Sequence, residues 1–201
     1  MDIHQQKVEL RSQLRTLRSI ISHEEQQRKS HEICQWLIAD LEAMLEADAE
    51  KPTIAVFYPM KDEVDLGEYV RFALKQGCTV AYPCMNLKGA PGLTMHMRSV
   101  SAHSLEDAPF IKNPLVRIDP LDDRLAEYPL VEPWQIDYLV VPLVGFDPQG
   151  GRLGYGGGNY DRYLEAIGPR CRVVGVAFSQ QMVEQVPAEE HDLPLPQIIW
   201  A

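Results

Sequence analysis

The sequence predicts a three-layer α/β fold in which helices cover both faces of a mainly parallel sheet, with a pair of helices at the N-terminal end. Three observations predict it. Apolar residues recur at helical spacing early in the chain, they then gather into short continuous runs separated by helical stretches, and a long glycine-rich segment follows one of those runs. With 201 residues and 45% hydrophobic composition the chain can bury one sizeable core, so residues 1–201 are expected to form a single domain.

The first helix is read from Val8, Leu10, Leu14, Leu17, Ile20 and Ile21, which recur at helical spacing. Ser22 and Glu25 have the spacing of a capping box and start a second helix carrying Ile33, Trp36, Leu37, Leu41 and Leu45, closed before Lys51-Pro52. The period then changes. Thr53-Ile-Ala-Val-Phe-Tyr-Pro59 is nearly continuous in apolar residues, as a strand buried on both faces of a parallel sheet is. Leu66 to Gln76 is helical, Gly77 stops it, and Thr79-Val-Ala-Tyr-Pro83 is the next strand, completing a βαβ unit. From Met85 to Pro133 only Leu93 to Arg98 alternates like a strand. Ile136 to Pro142 is a third buried strand, Asn159 to Ile167 a helix, Arg172 to Phe178 a fourth strand, and Gln197 to Trp200 a short terminal one. The whole is a Rossmann-like arrangement without internal repeats.

Composition excludes several functions. A formal net charge of −10 argues against nucleic-acid binding, which draws its affinity from clustered Lys and Arg. No stretch reaches the roughly 20 apolar residues of a membrane helix, and Met-Asp-Ile-His-Gln-Gln-Lys lacks the apolar core of a signal peptide, so a cytoplasmic protein is expected. Cys34, Cys78, Cys84 and Cys171 have no C-x-x-C spacing and read as reduced structural thiols, and the histidines form no zinc-binding pattern. An anionic ligand would need a local basic pocket built against the overall field.

Val140-Val141-Pro142 points its carboxyl end at Gly145-Phe-Asp-Pro-Gln-Gly-Gly-Arg-Leu-Gly-Tyr-Gly-Gly-Gly-Asn-Tyr-Asp-Arg162, where ligands of open parallel sheets bind. Glycines let backbone N–H groups approach an anion, and the helix that follows adds its positive end. Gly157 and Gly158 occupy the Lys and Ser/Thr positions of a Walker loop, and Asn159 stands where the dinucleotide pattern needs Gly or Ala, so neither loop is present. A flexible loop with turn glycines is the alternative. Arg152, Asp161 and Arg162 in the same segment favour an anion-binding site.

The pattern Phe146-Asp-x-x-Gly-x-Arg-Leu-Gly-x-Gly-x-Gly-x-Tyr-Asp161 resembles the signature of the 5-formyltetrahydrofolate cyclo-ligase family, also called methenyltetrahydrofolate synthetases. Lys7-x-x-Leu10-Arg11-x-x-Leu14, Phe57-x-x-Met60-x-Asp-Glu63, and Val186-Pro187 with Asp192 resemble its other motifs in the same order. The resemblance implies conversion of 5-formyltetrahydrofolate and ATP to 5,10-methenyltetrahydrofolate, ADP and phosphate with magnesium. It places Lys7 and Arg11 on the ATP phosphates, together with Arg152, Leu153, Gly154, Tyr155, Gly156, Gly157, Gly158, Asn159 and Tyr160. Arg152 is the catalytic cation, expected on an exposed loop. Asp161 and Asp192 are the magnesium carboxylates, and Tyr58, Glu63, Tyr155 and Tyr160 the folate contacts. Some relatives place basic residues inside the glycine run where Tyr155 and Gly157 stand here, and an aromatic where Asn159 stands. A monomer is expected. A non-catalytic sensor of sugar phosphates and a phosphosugar isomerase with Glu63 as its base are rival possibilities.

Overall fold

The computed structural model describes residues 2–48, 50–89, 92–189 and 192–201. Helix α1 (Ile3–Ser19) begins at Asp2, whose side chain accepts a hydrogen bond from the Gln5 N–H, and α2 (His23–Ala47) begins at Ser22, which accepts one from the Glu25 N–H. Only that half of the expected capping box is seen: the Glu25 carboxylate turns to Arg28, 2.8 Å away. The strands are β1 (Thr53–Ala55), β2 (Thr79–Asn86), β3 (Met95–Val100), β4 (Arg117–Ile118), β5 (Leu130–Val131), β6 (Tyr138–Pro142), β7 (Gly145–Phe146), β8 (Arg152–Leu153), β9 (Arg172–Ala177) and β10 (Ile198–Trp200). Helices α3 (Gly67–Lys75), α4 (Pro109–Lys112) and α5 (Asn159–Ala166) complete the set.

The main sheet runs β10-β9-β6-β1-β2-β3-β5, with β4 paired to β2. From β10 to β2 all pairs are parallel, while β3 and β5 form an antiparallel edge. The βαβ unit is present, with Ile54 opposite Val80. The apolar runs behave as expected of doubly covered strands. Along β6, Tyr138 and Val140 enter the core beneath α2 and α3, whereas Leu139 and Val141 enter the core beneath α5, where Tyr163 is fully buried. This is the predicted three-layer arrangement.

The first helix departs from its expected packing. Val8 is 51% exposed, Leu17 46% and Ile20 74%, while Lys7, Leu14 and Arg18 are buried. Instead of joining a helical layer, α1 lies against the loops beyond the sheet's carboxyl end, where Leu14 packs with Val144, Leu153 and Val186. Burying Leu14 contributes about 1.5–3 kcal/mol to that docking. Trp36, expected on the buried stripe of α2, is 67% exposed, and Ile33, Leu37 and Leu41 carry the contact. All four cysteines are free, and burial pushes the Cys34 thiol up to about 11. Among the described residues no helix is long and apolar enough to cross a membrane.

Candidate active site

The chain goes from β1 to β2 in one direction along the sheet and then returns to β6, β9 and β10 on the other side of β1, so the topological switch lies between β1 and β6. A crevice opens beyond the carboxyl ends of strands at such a point. Here it is a cleft of about 710 Å³, lined by Phe57 and Tyr58 after β1, Pro83 and Met85 of β2, Pro142 of β6, the glycine loop, α1, and residues 189 and 192. All the residues that the resemblance assigns to ligands or metal, from Lys7 and Arg11 through Tyr58, Glu63 and the loop to Asp161 and Asp192, line this one cleft, whereas Arg162 does not and donates to the Gly157 carbonyl. Lys7, Arg11, Arg15 and Arg152 face Glu63, Asp161, Glu189 and Asp192 within it, so the lining balances its charges despite the acidic chain.

The glycine loop is held from below by a residue that periodicity did not bring forward. Asp147 is buried and accepts hydrogen bonds from the Gln149 N–H at 3.0 Å and the Gly151 N–H at 2.8 Å on Oδ1, and from the Val186 N–H at 2.8 Å on Oδ2. One carboxylate thus ties the turn between β7 and β8 to the C-terminal segment. Gly158 is the N-cap of α5 at φ +62°, a left-handed conformation that costs a side chain but not glycine, and it offers no capping side chain to the first-turn N–H groups. Those groups border the cleft. Asn159 is fixed against Thr94, whose hydroxyl donates to Asn159 Oδ1 at 2.8 Å, and Leu153 turns its side chain into the cluster beneath α1.

Arg152 is not the exposed loop cation that the sequence suggested. It belongs to β8, is 9% exposed, donates from Nε to the Leu193 carbonyl at 3.1 Å, and pairs through Nη2 with Asp161. The β7–β8 hairpin buries it because residue 152 pairs with Phe146 in a ladder rather than lying in open loop. At the residue next to Leu193, Lys7 Nζ donates to Asp192 Oδ2 at 2.5 Å, and it also donates to Glu189 Oε2 at 2.6 Å. Burial works to lower the Lys7 pKa, but the bonds and charges of Asp192 and Glu189 outweigh it and hold the ammonium above its ordinary range. Arg11 donates from Nε to the Gly154 carbonyl at 2.7 Å, and its Cζ would lie 3.3 Å from a Cβ at Gly156. The first helix therefore brings its cations onto the glycine loop itself.

The cleft also has an apolar lining from Met60, Met85, Met95 and Leu115, with Tyr58 exposed and Tyr160 half-buried. Within it Glu63 is buried, accepting from the Met60 N–H at 2.8 Å on Oε2 and from the Tyr155 hydroxyl at 2.5 Å on Oε1. Burial and the Glu63 charge push the Tyr155 phenol well above its ordinary pKa, with Arg18 pulling the other way, so it stays a proton donor. Arg18 is the principal residue missed in the sequence. A signal was there: Lys7, Arg11, Leu14 and Arg18 are spaced by four, three and four, one face of a helix.

The 5-formyltetrahydrofolate cyclo-ligase family model matches residues 3–201. The 5-formyltetrahydrofolate cyclo-ligase of Escherichia coli K12 is 33% identical over 148 residues, covering 73% of this chain and 76% of that protein. The mouse enzyme of the same name is 26% identical over 95% of this chain and 91% of its own length. Among solved structures, the 5,10-methenyltetrahydrofolate synthetase of Mycoplasma pneumoniae superposes with a TM-score of 0.70 at 26% identity, covering 99% of this chain and 98% of its own. That of Aquifex aeolicus gives 0.68 at 29%, covering 96% and 89%. With a family model spanning almost the full sequence, a matching fold, and the expected residues gathered at the switch point of the sheet, the chain belongs to the 5-formyltetrahydrofolate cyclo-ligase family of enzymes.

Proposed function

We propose that this cleft binds ATP and 5-formyltetrahydrofolate side by side and converts them to 5,10-methenyltetrahydrofolate, ADP and phosphate. The observation that carries the proposal is the joint lining of one cleft: glycine-loop amides and cations share it with apolar side chains and one buried carboxylate. The loop amides and cations suit phosphates, and the apolar lining with Glu63 suits a pterin, whose amino and ring N–H groups Glu63 can accept while Tyr58 and Tyr160 pack on its faces.

A formyl oxygen leaves poorly, so it is phosphorylated by ATP; the neighbouring folate nitrogen then attacks the activated carbon, and phosphate departs. Such chemistry asks the protein for positioning and charge neutralisation rather than for a nucleophile. Lys7 and Arg11 take the phosphates from α1. Arg152 meets the transferring phosphoryl group, with its fork already oriented by Leu193 and Asp161 and thus little reorganisation left to do. The amides from Gly154 to Gly158 hold the remaining oxygens.

Asp161 and Asp192, partly exposed on the cleft wall, suit a magnesium ion that arrives with the nucleotide, since magnesium is commonly held by one or two carboxylates plus phosphate oxygens and water. When bound, the ion would neutralise phosphate charge. A soluble cytoplasmic monomer completes the proposal.

The test mixes purified protein with 5-formyltetrahydrofolate, ATP and magnesium and follows the near-ultraviolet absorbance of the methenyl product. Product that appears only with ATP supports the assignment; its absence would sink it.

A further inference from the structure

Arg18 is the buried cation of α1 that does not line the cleft. Lys7, Arg11 and Arg15 border it, whereas Arg18 is 4% exposed behind Tyr155. Its Nη2 donates to the Tyr155 hydroxyl at 2.7 Å, its Nη1 to the Leu143 carbonyl at 3.4 Å, and its Cζ lies 5.7 Å from the centroid of the Tyr155 ring. Glu63 is also buried, and neither Arg18 nor Glu63 forms an ion pair among the described residues. A buried charge without such a partner is costly. These two are connected through one phenol.

The direction of that connection follows from chemistry. A guanidinium has no acceptor, so Arg18 donates and the Tyr155 oxygen accepts. The phenolic proton is then committed to Glu63 Oε1, 2.5 Å away, while Glu63 Oε2 is held by the Met60 N–H at 2.8 Å. A charge at each end strengthens both bonds of the chain. The carboxylate is thereby oriented with lone pairs left for ligand N–H groups, and Tyr155 is clamped between Arg18 and Glu63.

We propose that Arg18 is a positioning residue for the folate substrate, acting through Tyr155 to hold the Glu63 carboxylate in its binding orientation. The inference rests on the folate assignment given above. It gives Tyr155 a defined role: the cation is supplied from α1, and the tyrosine relays it.

Steady-state kinetics on R18M, R18K, Y155F and the R18M/Y155F pair, with thermal melting of each, form the test. R18M is expected to raise KM for 5-formyltetrahydrofolate about tenfold, as loss of one hydrogen bond to a charged group does, while KM for ATP stays within about twofold. R18K should recover part of the loss, and the double variant should be no worse than the poorer single one, because both cut the same chain. Equal rises in both KM values, or additive losses in the double variant, would show Arg18 to be only structural and overturn the proposal. If R18M does not fold, Y155F decides by the same selectivity for folate. Should the wild type form no ATP-dependent product, the functional assignment fails on its own. Calorimetric binding of 5-formyltetrahydrofolate then tests Arg18: weaker binding by R18M upholds the proposal, while unchanged binding, or none by the wild type, overturns it.

Discussion

Lys7 Nζ lies 2.5 Å from Asp192 Oδ2, so the first helix is fastened to the C-terminal segment across 185 positions of sequence. The same face of α1 carries Arg18, three helical turns away, buried behind Tyr155. Eleven residues of helix span about 16 Å, enough to set one cation of the helix at the proposed phosphate site and another behind the Tyr155–Glu63 pair.

That geometry predicts opposite kinetic signatures for the two ends of α1. K7M should raise KM for ATP about tenfold or more and leave KM for 5-formyltetrahydrofolate within about twofold, the reverse of R18M. Initial-rate measurements with each substrate varied in turn check it. A K7M enzyme with a normal KM for ATP would remove Lys7 from the phosphate site and leave it a structural tie to Glu189 and Asp192.

A single substitution of Arg152 confounds its proposed role in the reaction with its bonds to Leu193 and Asp161. R152A removes the proposed phosphoryl-binding fork and also strands Asp161 and the Leu193 carbonyl, so both turnover and stability should fall, the latter by about 1–3 kcal/mol. Adding D161A separates them. The double variant should melt closer to the wild type than the sum of the single losses allows, with no return of activity. Melting scans and turnover on the four proteins provide the check; recovered turnover in the double variant would contradict a role for the arginine in the reaction.

The departures from the sequence-based expectations have physical causes. The strands β1, β2, β6 and β9 were legible because parallel strands covered on both faces need apolar residues at consecutive positions, and few other elements do. The glycine loop was legible because its residue types are rare together. The face of α1 was not, since a helix docked over a polar cleft buries cations and exposes Val8, Leu17 and Ile20, inverting the pattern that apolar periodicity detects. The stretch between Met85 and Pro133 was opaque for another reason. Strands β4 and β5 have two residues each and exist through pairing with β2 and β3, which no local pattern records. Arg152 looked exposed because a glycine-rich loop suggests solvent, whereas its hairpin folds back under Leu193.

Asp147 should prove as necessary to the loop as the glycines themselves. D147N keeps the size of the side chain but turns one acceptor into a donor, which must then face either the Val186 N–H or those of Gln149 and Gly151. Stability should fall by about 2–3 kcal/mol, the cost of losing a charged acceptor and leaving a buried donor unmet. For a chain of this size that lowers the melting temperature by roughly 4–12 °C. Calorimetric scans test it, and a melting temperature within a degree of the wild type would show that Asp147 does not organise the loop.

Two glycines of the same loop should respond to alanine in opposite ways. Gly150 has φ +87°, and a Cβ there would lie 2.5 Å from the carbonyl oxygen of Leu195, the residue whose N–H anchors the C-terminal segment by donating to the Gly150 carbonyl at 2.9 Å. G150A therefore incurs both the left-handed penalty and a clash that no side-chain rotation relieves, costing at least about 2 kcal/mol. Gly154 has no neighbour within 4 Å of an added Cβ and no unusual φ, so G154A should melt within about 0.5 kcal/mol of the wild type. Its methyl group enters the cleft where the proposed phosphates come closest to the backbone, and kcat/KM should drop about tenfold or more for want of that approach. Stability and activity measured on both variants thus separate loop architecture from ligand contact. A fully active G154A would mean that no ligand reaches the backbone there, and the cradle would have to be confined to Gly156 through Gly158 and the first turn of α5.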